Sequence, residues 1–205
     1  FSSTPLSSDA RLAACISIAT PFALLIVATH EYLVPESLQE VLRSRYTVAA
    51  TTIIFGVFLW WADVKGGKDR TEADMTFGHA FLIGTTQAIA AILPGTSRSG
   101  ITMTAARALG YERTEAARFA MLIGAPILAA AGLFGAVGLL NADASETALT
   151  FQDGMIVAGI SFVTGLASIW ALMAMLRRMN FLPFVLYRFA LGAILLLGTP
   201  MIGAL

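Results

Sequence analysis

The sequence is short of charge before it is short of anything else. Only 13% of its 205 residues are charged, against roughly 25% in an ordinary soluble domain. Thirteen basic residues balance 13 acidic ones, so there is no net field to draw nucleic acid, and that class of partner is excluded. The single cysteine, Cys15, rules out an intrachain disulfide and a cysteine metal cluster; in its apolar run it is expected to be a small core residue. No secretory leader is expected, since Phe1 to Asp9 is a polar stub with no basic start. No methionine opens the chain, as expected of a fragment or a processed form.

What is abundant is apolar. Hydrophobic residues make up 57% of the chain, and the mean hydropathy is +0.77. A helix needs about 20 mostly apolar residues to cross a bilayer. Five stretches approach or meet that, at roughly 12–30, 46–62, 119–140, 154–176 and 183–204. Trp60 and Trp61 close the second, where an interfacial aromatic belt would put them. The expected fold is all-α, a polytopic transmembrane helical bundle forming one integral membrane domain over residues 1–205.

Residues 77–110 are expected to enter the membrane and return. The first arm, Phe77 to Leu93, is nearly long enough to cross, whereas Ile101 to Leu109 would rise only about 13 Å as a helix. The charges choose between a crossing and a hairpin. As a single crossing, this region would put Lys65, Lys68 and Arg70 on the opposite side from Arg107, Arg113 and Arg118, against the positive-inside rule. As a re-entrant hairpin it places both groups, and Arg177-Arg178, in the cytoplasm. Segment 31–45, with Arg43 and Arg45 among three glutamates, then falls outside and fits least well. Non-helical backbone at membrane depth survives only inside protein or against a watery cavity. The tip is therefore expected to face a cavity open to the external side.

The tip is Leu93 to Thr102, LPGTSRSGIT. Pro94-Gly95 ends the first arm, Ser99 is positioned to cap the second, and Gly100 allows close backbone approach to a ligand. Free amides at a helix start, the hydroxyls of Thr96, Ser97, Ser99 and Thr102, and the permanent cation of Arg98 together describe a phosphate cradle. The plainer alternative is that the hydroxyls cap a helix while Arg98 snorkels to an interface. Gln87 is the one carboxamide on the first arm and lines the cavity or packs between helices; Arg188 lies inside the last span and faces substrate or snorkels. His30 and His79 read as interfacial residues, and Pro126 as a kink in the 119–140 helix.

LPGTSRSGIT resembles the PGxSRSxxT signature of the undecaprenyl-diphosphate phosphatases, the bacitracin-resistance family of bacterial membranes. The resemblance extends through FGHAFLIGTTQAIAAILPGTSRSGITM, RFAMLIGAPILAAA and FLPFVLYRFALG, and spans about residues 10–200. It implies hydrolysis of undecaprenyl diphosphate to the monophosphate carrier used in peptidoglycan synthesis. It also implies a multi-pass protein of the bacterial inner membrane, embedded among membrane lipids, with its site on the periplasmic side. Arg98 would bind the diphosphate and stabilise charge in the transition state, and Ser97 and Thr102 would hydrogen-bond it. Ser99, Gly100, Gly95 and Thr96 would complete the phosphate-binding loop. The implied fold is an inverted repeat in which two re-entrant hairpins meet.

The family pattern also includes an earlier hairpin, EGxTEFLPVSSxGH, whose glutamates and histidine are taken to supply acid–base chemistry and to help hold Mg2+ or Ca2+. That motif is not in this sequence, and Ser2-Ser3-Thr4-Pro5 does not reproduce it. All 13 carboxylates fall in loops or at segment ends, leaving no metal ligand beside the tip. The chain is therefore expected to hold the phosphate half of the site without the acid half, and to be inactive alone. Two other readings remain, a transporter or flippase of an anionic isoprenoid phosphate lipid and a silent binder of isoprenoid phosphates.

Overall fold

A computed structural model describes residues 7–67, 69–141 and 151–198. Its described helices are α1 (Ser8–Leu33), α2 (Glu36–Arg43), α3 (Arg45–Lys65), α4 (Phe77–Thr85), α5 (Gln87–Ile92), α6 (Arg98–Ala108), α7 (Arg113–Asn141), α8 (Phe151–Leu176) and α9 (Leu182–Leu197). Four helices, α1, α3, α7 and α8, are long and apolar enough to cross a membrane. The fifth expected span is shorter among the described residues. Helix α9 has 16 residues, about 24 Å of rise, and the rest of the stretch to 204 lies outside them. The protein is an all-α, multi-pass membrane protein.

Residues 77–108 do turn back. Near the start of α4, the His79 ring meets the Tyr111 hydroxyl just past α6, Nδ1 to Oη 2.7 Å. Arg118 pairs with Glu72 at 2.7 Å, and Glu112 N–H donates to Arg70 O at 2.9 Å. Both arms of the hairpin thus begin and end at one end of the bundle. Residues 177–181 join them there, because the Phe181 amide donates to Asp63 Oδ2 at 3.3 Å. Every described Lys or Arg other than Arg43, Arg45, Arg98 and Arg188 falls at this end. Arg45 lies at the opposite one, donating to Gly198 O past α9. Lys68 lies outside the described residues; the other basic residues of the three expected groups share one end, as positive-inside reasoning requires.

Two apolar cores surround α6 and keep its short, polar sequence out of lipid. One joins α1, α4, α6 and α7 through Cys15, Ala19, Ile83, Ala106, Phe119 and Ile123. The other joins α3, α6, α7, α8 and α9 through Leu59, Met103, Ala120, Leu176, Phe181 and Val185. Cys15 is fully buried, the core role expected for it. Helix α8 buries Leu176 at its end but turns Phe162, Leu166 and Trp170 outward, as a lipid-facing helix should.

The first arm is broken where continuity was expected. Helix α4 ends at Thr85 and α5 starts at Gln87. The Thr85 and Thr86 hydroxyls donate back to the Leu82 and Ile83 carbonyls, offering the backbone an alternative to the helical ladder.

Candidate functional site

The tip is held at depth by α3. Thr51 donates its hydroxyl to Pro94 O, and Thr52 donates to Gly95 O at 3.2 Å. These threonines lie six and seven residues from Arg45, so the tip sits about 10 Å below the far end of α3 and about 20 Å above its basic end. Gly95 is required there. Its φ is +86°, and a Cβ would meet the Val48 carbonyl at 2.5 Å and the Thr51 hydroxyl as well.

Ser97, not Ser99, caps the second arm. Its side chain accepts from Gly100 N–H at 3.2 Å, and its backbone takes φ 68°, ψ 112°. A non-glycine residue in that region costs about 1–3 kcal/mol. The early turn starts α6 at Arg98 and leaves the amides of Arg98 and Ser99 with no carbonyl four residues back in the helix. Ser99 therefore sits inside the first turn, on an anion-attracting helix start.

A cavity of about 460 Å³ opens beside this turn. Its polar wall contains Gly95, Ser97, Ser99, Gly100, Thr52 and Arg188, and its apolar wall includes Leu59, Met103, Leu172, Phe181 and Phe184. Arg188 is nearly buried and donates to Thr52 O (Nε, 3.1 Å) and Gly95 O (Nη2, 2.9 Å), locking α9 to the tip. Arg98 does not line this cavity: half-buried at the start of α6, it turns to α7, where its Nη1 lies 3.4 Å from Gly124 O. Neither guanidinium has a carboxylate partner among the described residues. Two cations at membrane depth with no carboxylate counter-ion among the described residues are what a bound anion would balance.

The structure does not bring every expected residue to the cavity. Thr102 is buried, and its hydroxyl donates to Arg98 O and Ser99 O of its own helix, both at 3.0 Å. Thr96 and Gln87 are buried away from the cavity wall, and neither the Thr96 hydroxyl nor the Gln87 amide atoms have a hydrogen-bond partner among the described residues. Thr51, Thr52 and Gly124 were not anticipated. A Thr-Thr pair in the middle of an apolar span was the available signal for the first two.

The donor set decides how a divalent cation would fare. Mg2+ and Ca2+ seek oxygen ligands, carboxylates above all. The described cradle offers hydroxyls, amides and two guanidiniums, and no metal-ligating cluster of His, Cys, Asp or Glu occurs among the described residues. These residues do not fit such an ion by themselves.

A polytopic helical membrane protein with a re-entrant anion cradle against an apolar cavity is the class that this fold and site define. The profile described as bacitracin resistance protein BacA matches residues 2–194. A relative from Hyphomonas neptunium named undecaprenyl-diphosphatase is 61% identical over 198 residues, 97% of this chain and 70% of its own length. Relatives of the same name from Maricaulis maris and Ruegeria pomeroyi are 45% and 41% identical, over 91% of this chain and 68% and 67% of theirs. The chain belongs to the bacitracin resistance protein BacA family.

Proposed function

We propose that this chain is an undecaprenyl-diphosphatase, a hydrolase that converts the lipid diphosphate to undecaprenyl phosphate and inorganic phosphate in carrier-lipid recycling for the cell wall. The observation that carries this reading is an amphipathic cavity at membrane depth lined by Arg188, a guanidinium with no carboxylate partner among the described residues, with a second such guanidinium, Arg98, on the adjoining turn. The diphosphate belongs at the tip, between the Arg188 flank and the Arg98 flank, with the Ser97 and Ser99 hydroxyls and the first amides of α6 donating to it. The isoprenoid chain follows the apolar wall toward Leu59 and Phe181.

Water attacks the terminal phosphorus, the bond to the bridging oxygen breaks, and that oxygen leaves on the lipid monophosphate. Positioning and charge stabilisation dominate phosphoryl transfer, and this is what the described residues supply. Arg98, permanently charged and planar, is assigned the charge that develops on the transferred phosphoryl oxygens. Arg188 holds the tip in register through its two carbonyl bonds and offers its remaining donors to the diphosphate. The Mg2+ or Ca2+ implied by the family would take its ligands from carboxylates other than those around this cradle.

The basic end faces the cytoplasm by the positive-inside rule, so the cavity serves the periplasmic leaflet of the bacterial inner membrane. One observation favours the flippase alternative: among the described residues no carboxylate faces the cradle to act as a base. Reconstitution in vesicles with undecaprenyl diphosphate separates the two. Release of inorganic phosphate supports the hydrolase and overturns the expectation that the chain is inactive alone; movement of intact lipid between leaflets without phosphate release would replace the hydrolase with a transporter.

A further inference from the structure

The basic end carries more positive charge than its carboxylates balance. Asp63 is a single negative charge shared by Arg107 Nε at 3.1 Å and Arg113 Nε at 2.7 Å. Arg107 has little capacity left. It is fully buried, and its other donors go to the carbonyls of Gly67, Tyr111 and Asp63. Arg113 is different: its side chain is 31% exposed, and among the described residues only its Nε is engaged.

A cleft of about 380 Å³ opens on this cluster, between the end of α6, the start of α7 and the end of α8. Arg107, Arg113, Thr114 and Arg177 line it, together with buried Leu176 and exposed Glu112. Arg177 has no ion-pair partner among the described residues. Three guanidiniums thus stand against the two carboxylates of Asp63 and Glu112. Arg113 and Thr114 also lie in the first turn of α7, a 29-residue helix whose positive dipole end and free amides point the same way.

We propose that this cleft is a second anion site, separate from the hairpin tip, which takes a phosphate group at the membrane–water interface. Two arginine forks with unused donors, Arg113 and Arg177, suit a phosphate's tetrahedral oxygens. Basic pockets between transmembrane helices at a membrane's basic face hold anionic headgroups in the same manner. Helix α8, which ends at Leu176 next to exposed Arg177, is exposed from Met155 to Ala171, so a lipid phosphate reaches the cleft along it from the bilayer. A soluble phosphate reaches it from water. Glu112 opposes either ligand and sets the affinity.

The test uses the full chain in phosphatidylcholine nanodiscs. One arm adds phosphatidylglycerol and counts retained lipid by native mass spectrometry. The other adds inorganic phosphate, against potassium chloride at matched ionic strength, and follows the thermal midpoint. Phosphatidylglycerol is expected to be retained over phosphatidylcholine, with Arg177→Gln weakening retention about tenfold. Glu112→Gln should strengthen it, and Arg178→Gln, whose residue does not line the cleft, should leave it unchanged. An effect of lipid alone identifies a headgroup; an effect of inorganic phosphate that survives Arg98→Ala and disappears in Arg177→Gln identifies a soluble ligand. Either supports the site. No response in either arm, or equal losses from Arg177→Gln and Arg178→Gln, overturns it.

Discussion

The two ends of the re-entrant hairpin treat polar groups in opposite ways. At its base, Asp63 accepts from Arg107, Arg113 and the Phe181 amide, and so ties together α3, α6, α7 and α9. Tyr111 is fully buried, and its hydroxyl donates to Asp74 O at 3.2 Å, which leaves His79 Nδ1 as the donor to it. At its tip, among the described residues, Arg98 and Arg188 have only carbonyls to bond and the Thr96 hydroxyl is unpaired, and Ser97 is held in a strained backbone region. Polar groups that are saturated by the protein stabilise it. Those left short are available for a ligand.

That contrast is broken most severely at the base. Asp63→Asn leaves fully buried Arg107 without its counter-charge and should cost about 3–5 kcal/mol, because an uncompensated buried charge is the penalty; denaturant titration in detergent measures it. Next comes the tip. Arg98→Ala should reduce kcat/KM for undecaprenyl diphosphate by about 10²–10³-fold, the scale for losing one transition-state donor. The unfolding midpoint should hardly move, and Arg98→Lys should not restore activity, since an ammonium lacks the planar fork. A loss of stability equal to that of Asp63→Asn would erase the distinction between tip and base.

Gly124→Ala sharpens it further. A Cβ there would lie 2.9 Å from Arg98 Nη2, so the guanidinium must shift by a few tenths of an ångström. A severalfold fall in kcat with stability retained is expected, since small misplacements of a positioned group are felt in rate. The smallest effect is at Asp74, beside the base but in water. The Thr71 N–H, and then its hydroxyl, donate to the Asp74 carboxylate and hold its pKa below the ordinary value. A lowered folded pKa means that the contribution is present above the unfolded carboxylate pKa and is lost as pH falls through the folded one. The gap in melting midpoint between wild type and Asp74→Asn should therefore be small at neutral pH and vanish in acid.

Much of this was legible in the residues. Pro94-Gly95 marks the break, nine residues make the second arm too short to cross, and the arginines on either side demand a return. All three are local facts. The cap was not local enough to read: TSRS offers two serines, and only the positive φ that Gly95 and α3 impose on the loop selects Ser97. The break in the first arm follows from Thr85-Thr86 back-bonding, which competes with the ladder just after Gly84 and has no proline to announce it. Arg188 could be singled out as a cation inside a span, but its bond to Gly95 joins positions 93 residues apart. The same distance hides the Arg98–Gly124 contact and the sharing of Asp63. Periodicity and charge counting carry no information about which helix faces meet.

The mouth of the tip cavity, flanked by exposed Tyr187 on α9 and Leu172 on the lipid-facing α8, makes encounter a two-dimensional problem. A substrate drifting within the leaflet slides in sideways without leaving hydrocarbon. Turnover should therefore track its mole fraction in the bilayer, and swelling the micelle with inert detergent should slow the reaction at constant bulk concentration.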